Sequence, residues 1–158
     1  ANFRFSFILV IFHNKFFMEV LSLDVNNWAV LVGAVLNMFL GMFWYGPLFG
    51  KTWAALSGMK MPKKMTPAMK QKAMKSMSLG FVISLLMAYV VSNFVALLNV
   101  TSAAAAFQLA LWAWLGFMVP ITMGAFLWEN KSFKLVVLNS AYWLVSLFVM
   151  TLILAYWR

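Results

Sequence analysis

Residues 27–53 read NWAVLVGAVLNMFLGMFWYGPLFGKTW. No charge interrupts the stretch before Lys51, and its bulkiest aromatics, Trp44 and Tyr45, come just ahead of Gly46 and Pro47. An apolar helix of roughly 20 residues is what a bilayer core requires. Trp and Tyr favour the membrane–water boundary, and a lysine beyond them stands among lipid headgroups. Pro47 cannot continue the helical hydrogen-bond ladder, while Gly46 permits a turn. The stretch predicts a membrane helix reaching the water surface. The competing reading, a ligand-binding turn, explains fewer of these residues.

The composition extends this reading to the whole chain. Of 158 residues, 65% are hydrophobic and 9% charged, and the mean hydropathy is +0.91. A soluble domain carries about 25% charged residues, so the apolar excess must face lipid. Three further stretches are long and apolar enough to cross, which places spans at about 28–46, 78–98, 104–127 and 135–157. None has a charged side chain in its interior, where one would cost about 2.5–3.5 kcal/mol. The fold class expected is an all-α integral membrane four-helix bundle, a single membrane domain over residues 18–158.

Charge sets the expected orientation. The chain has 12 Lys+Arg against 3 Asp+Glu, a net charge of +9. Seven lysines fall between Lys51 and Lys75 with no acid among them, and the loop near Asn99–Ala103 has no charge. The positive-inside rule puts the lysine-rich loop and the Glu129–Lys134 loop in the cytoplasm, with the core termini outside, in the cell membrane of a bacterial-type inner membrane. The basic Lys51–Lys75 loop is expected to meet anionic headgroups. Nucleic acid is not an expected partner, because no basic module lies outside the hydrophobic scaffold. The absence of cysteine removes thiol chemistry and thiolate metal sites, and the single histidine, His13, lies outside the spans. No cofactor and no metal are expected.

Small residues predict how the helices meet. Span one carries Ala29, Gly33, Asn37 and Gly41 at every fourth position, and span two carries Ser76, Gly80, Ser84, Ala88 and Ser92. Such stripes let backbones approach closely in lipid, so both are expected to face other helices or each other. Pro120, midway along span three between Gly116 and Gly124, predicts a kink. A weak internal echo pairs Gly33, Gly41, Phe43 and Lys51 with Gly116, Gly124, Phe126 and Lys134, and sets Tyr45 against Trp128. It suggests two helical hairpins related as a parallel repeat.

Between spans one and two, Thr66-Pro67 has the form of a helix start. Met61, Met65, Met69, Ala73 and Met77 recur every fourth residue, with lysines largely on other faces. This predicts an amphipathic linker helix on the inner membrane surface, running into span two. Thioethers can hold Cu(I), but interleaved lysines would repel it. Residues 1–17, ANFRFSFILVIFHNKFF, contain an apolar run too short to span and no small-residue cleavage site. They are either an upstream extension, with Met18 as the start, or an interfacial segment.

Polar groups inside the spans are the candidate site. Asn37 lies about 15 Å along the helix from Asn27, and a buried asparagine there must find a partner. Asn139, Tyr142 and Ser146 share one face of span four. Glu129, beside Trp128, is the acid of the lysine-rich side, read either as a solvated loop carboxylate or as a contact for a cation or headgroup. With Trp28, Trp44, Tyr45, Pro47 and Lys51, these residues form the candidate binding or lining set. Catalytic residues are not assigned: acid–base groups would have to come from Glu129, the loop lysines or another chain, so an enzyme is not expected.

The stretch 27–53 and the later segment GFMVPITMGAFLWENKSFKLVVLNSAYWLVSL resemble the uncharacterised bacterial and fungal membrane family catalogued as domain of unknown function 1761. The Asn-Trp opening, the Trp-Tyr-Gly-Pro turn with Phe-Gly-Lys, and the Trp-Glu then Asn-x-x-Tyr pattern carry the likeness. The resemblance implies a small four-helix membrane protein and no particular activity. It adds weight to Asn27, Trp28, Trp44, Tyr45, Pro47, Gly50, Lys51, Trp128, Glu129, Asn139 and Tyr142. The expected function is a non-enzymatic membrane module binding lipid or a partner protein. The alternative is a small oligomeric transporter or channel for a neutral or apolar solute, since ion-coupled transporters usually carry an intramembrane ionisable residue.

Overall fold

A computed structural model describes residues 25–59 and 66–157 of the chain, and every regular element among them is helical. The extension read at 1–17, His13, and Met61 and Met65 of the linker lie outside the described residues.

Four helices are long and apolar enough to cross a membrane: Asn27–Leu48, Pro67–Leu97, Ala103–Trp128 and Phe133–Tyr156. We label the helical elements α1 (Asn27–Phe43), α2 (Gly50–Ser57), α3 (Pro67–Leu97), α4 (Ala103–Ala113), α5 (Val119–Trp128) and α6 (Phe133–Tyr156). The starts follow local chemistry. Asn26 accepts from the amides of Trp28 and Ala29, Thr66 from Met69, Ser102 from Ala105 and Ser132 from Leu135. Each side chain satisfies an amide that the first turn leaves without an intrahelical acceptor.

One difference from the expected outline has a clear cause. Pro47 does not end span one. The helix widens into a π-helical turn over Trp44–Leu48, with Pro47 inside it and the Phe49 amide reaching back to the Trp44 carbonyl at 2.9 Å. Widening accommodates a ring that would collide with the carbonyl four residues back. α2 follows at once and ends at Gly58, whose φ of 72° is the left-handed cap that glycine supplies without strain. Span three widens in the same way over Trp114–Met118, directly before Pro120.

The linker helix starts at Pro67 and runs into span two, as expected, giving a single element of 31 residues. At 1.5 Å per residue that is about 46 Å, against about 30 Å of hydrocarbon. The helix is thus longer than such a layer is thick, and its first turns carry Lys70, Lys72 and Lys75. The exposed Met69, Met74 and Met77 lie along this part of the helix.

Packing centres on α6, which meets α1, α3, α4 and α5, while α1 packs on α3. The small-residue stripes of spans one and two face each other in antiparallel register. A Cβ on Gly33 would lie 3.9 Å from Ala88, Asn37 bonds Ser84, and Gly80 sits against Met38. Ala29, Ala34, Ala88, Ala106 and Ala110 are essentially fully buried. The glycines of the internal echo are not equivalent in space: Gly33 and Gly41 abut neighbouring helices, while a Cβ on Gly116 would meet nothing within 4 Å.

Candidate functional site

The polar residues of the membrane interior converge on Asn37. Its backbone position, one turn from Gly33 and one from Gly41, brings the side chain between α3 and α6. Asn37 Nδ2 donates to Ser84 Oγ at 3.0 Å. Its Oδ1 accepts a close hydrogen bond from Ser146 Oγ and a long one, 3.5 Å, from the Tyr142 hydroxyl. Asn37 is 6% exposed and Ser146 1%, so one amide ties three transmembrane helices together away from solvent. Low dielectric strengthens such a set when every member is paired.

The network continues towards the lysine-rich end. The Tyr45 hydroxyl donates to Asn139 Oδ1 at 3.2 Å. The Tyr45 and Tyr142 rings lie 5.0 Å apart, Trp44 lies 6.1 Å from Tyr142 and 4.8 Å from Phe49, and Trp53 of α2 meets Tyr45 edge-on at 5.7 Å. Offset and edge contacts of this kind are favoured by the ring quadrupoles. Trp44 and Tyr45 are thus turned towards Tyr142 of α6. The π-helical turn re-aims them. Gly41 makes room for the cluster, because a Cβ there would come within 3.1 Å of the Tyr142 hydroxyl.

The structure therefore brings together Asn37, Trp44, Tyr45, Asn139, Tyr142 and Ser146. It does not bring Trp28, Pro47, Lys51 or Glu129 into that cluster. Trp28 is 70% exposed at the opposite end of span one, Pro47 faces outward in the π-helical turn, Lys51 is exposed on α2, and Glu129 is exposed at the carboxyl end of α5. Trp128 is exposed beside Glu129. Sequence reading did not place Ser84, Trp53 or Trp114 in the site. Ser84 was detectable as the member of its stripe that stands opposite Asn37. Trp114, whose Nε1 donates to the Ser140 carbonyl at 2.7 Å, carried no comparable signal.

Three recesses border this core. One of about 300 Å³ reaches Asn37 and Tyr142 between spans one and two, past Gly41, Ser76 and Gly80. A cavity of about 930 Å³ lies between α2 and the start of α6, with Trp44, Thr52, Lys134, Val137 and Ala141 in its wall. A third, about 400 Å³, lies between α5 and α6 and shares Phe133, Val137 and Ala141 with the second. No group of three or more His, Asp or Glu side chains that could hold a metal occurs among the described residues.

The family model described as Protein of unknown function (DUF1761) matches residues 28–155. The chain belongs to this family. Its matched segment covers all four spans and every residue of the Asn37 network. Comparison with curated proteins and with solved structures finds no match.

Proposed function

We propose that this family member is a non-enzymatic membrane module whose lysine-rich end holds anionic lipid headgroups or an acidic surface of a partner protein. The observation that supports the reading is the length of α3, a helix of 31 residues that exceeds an apolar layer and bears the exposed Lys70, Lys72 and Lys75 in its first turns, with the exposed Lys51 on α2. A lysine at an anionic surface contributes about 1 kcal/mol. Four together supply a salt-sensitive attraction that a neutral bilayer does not. The Asn37 network fits this role, since its polar groups bond one another and lock the helices that carry the collar.

The test compares thermal stability in nanodiscs of anionic and zwitterionic lipid. Anionic discs should give the higher Tm at low salt. The difference should shrink in high salt and in the Lys70→Glu/Lys72→Glu/Lys75→Glu variant. Equal Tm values in both lipids would overturn the reading.

The recess that reaches Asn37 favours a second reading, an oligomeric pathway for a neutral or apolar solute. Solute flux into reconstituted vesicles that disappears in Asn37→Leu would support it. Flux that survives the substitution would exclude this route.

A further inference from the structure

The two cavities that share Phe133, Val137 and Ala141 form one groove along α6, walled by α2 and the π-helical turn of span one on one side and by span three on the other. We propose that this groove is a binding site for a single anionic glycerophospholipid, with one acyl chain along α6 and the phosphate at its lysine-rich end. The site is distinct from the lysine collar on α3.

Length, lining and charge select this occupant. The groove wall runs from Phe133 to Leu144, about 16 Å of helix. That matches about 15 Å for one leaflet of the hydrocarbon core. The deep part is apolar, lined by Val119, Met123, Val136, Val137 and Leu144. Ala55 and Ala141 keep it open where larger side chains would close it. Thr122 and Ser140 also line the deep part, but the charged group, Lys134, stands exposed at the mouth beside Thr52. Lys134 also occupies the first turn of α6, where the helix dipole favours an anion. An acyl chain with an acidic head meets both halves of this gradient. A transmembrane helix of a second copy would bury the apolar half and leave Lys134 without a counter-charge.

Two groove-lining residues, Trp44 and Ser140, hold buried atoms, Nε1 and Oγ, without a hydrogen-bond partner. A buried N–H without an acceptor is costly.

The test is native mass spectrometry of the full chain, purified from membranes in mild detergent and then supplied with phosphatidylglycerol or phosphatidylcholine. The wild type should retain one phosphatidylglycerol per chain and discriminate against phosphatidylcholine. Lys134→Glu should weaken retention by about tenfold or more. Val137→Trp places a large ring in the groove at a half-exposed position and should abolish retention without unfolding the chain. The triple substitution in the α3 collar should leave the retained lipid in place, which separates this site from the collar. The proposal is overturned by a wild type without stoichiometric lipid, by equal retention of both lipids, by Val137→Trp retaining as much as the wild type, or by a dimer that closes the groove without lipid.

Discussion

Spans one and three start from similar material. Each is an apolar helix interrupted by a π-helical turn led by a tryptophan, with Pro47 inside the first turn and Pro120 just after the second. Each carries small residues at four-residue spacing, Gly33 and Gly41 in one, Gly116 and Gly124 in the other. Yet 28% of span one's apolar stretch is buried and only 6% of span three's. Hydropathy does not separate them, because lipid tails are as apolar as leucine and give no drive for one helix to enter the core. What separates them is Asn37. An amide in hydrocarbon needs partners, and span one finds three of them, whereas Thr122 of span three bonds its own backbone at Met118 and Val119. The glycines of span one then serve a contact already specified, and those of span three have none to serve.

The sharpest way to break this contrast is Asn37→Leu. It leaves Ser84, Ser146 and Tyr142 without their shared partner. At roughly 1 kcal/mol for each interhelical bond, unfolding in mixed micelles should lose about 3 kcal/mol. Thr122→Val in span three should cost under about 0.5 kcal/mol by the same measurement. A loss below about 1 kcal/mol for Asn37→Leu would mean that the fit of the stripes alone sets the register.

A smaller effect is expected at Gly50. A Cβ there would lie 2.6 Å from the Tyr45 carbonyl oxygen, a backbone atom that cannot swing aside. Gly50→Ala should cost about 2 kcal/mol by overpacking. It should also part Trp53 from Tyr45, visible as a change in tryptophan fluorescence. Unchanged stability and spectrum would show that α2 is not fixed to the π-helical turn.

Trp114→Phe probes the other side of the contrast. The substitution keeps the ring and removes the Nε1 bond to the Ser140 carbonyl. It should cost about 1 kcal/mol. Hydrogen exchange should rise around residues 114–118 and stay level in span one. Equal acceleration in both spans would show that spans three and one are energetically coupled through α6.

The sequence and the structure agree where one physical requirement dominates. Uninterrupted apolar length marks four spans, because lipid admits no charged interruption. Thr66 and Pro67 mark the start of α3, because the cap chemistry is local. The two small-residue stripes could be read before their contact was known, and so could the need of Asn37 for a partner. The turn of Trp44 and Tyr45 towards Tyr142 was not legible. Trp-Tyr before Gly-Pro reads equally as a boundary belt, and only the extra residue in the π-helical turn rotates the rings onto Tyr142. The run of the linker helix into span two was legible, by contrast, because the four-residue spacing of Met69, Ala73 and Met77 leads directly into the apolar stretch.

The smallest effect is the most informative about what surrounds the molecule. A Cβ on Gly116 would meet nothing within 4 Å, whereas one on Gly41 would press the Tyr142 hydroxyl at 3.1 Å. Gly41→Ala should therefore cost about 1 kcal/mol by disturbing the network. Gly116→Ala should be neutral, or stabilising by a few tenths of a kcal/mol, since alanine favours a helix over glycine. Both are measured by the same denaturation in micelles, and again in bilayers. If Gly116→Ala is harmless in micelles but costs 1 kcal/mol or more in bilayers, another helix packs on span three there. The exposed Gly116 of span three would then have the same purpose as the glycines of span one, directed at a neighbour in the membrane.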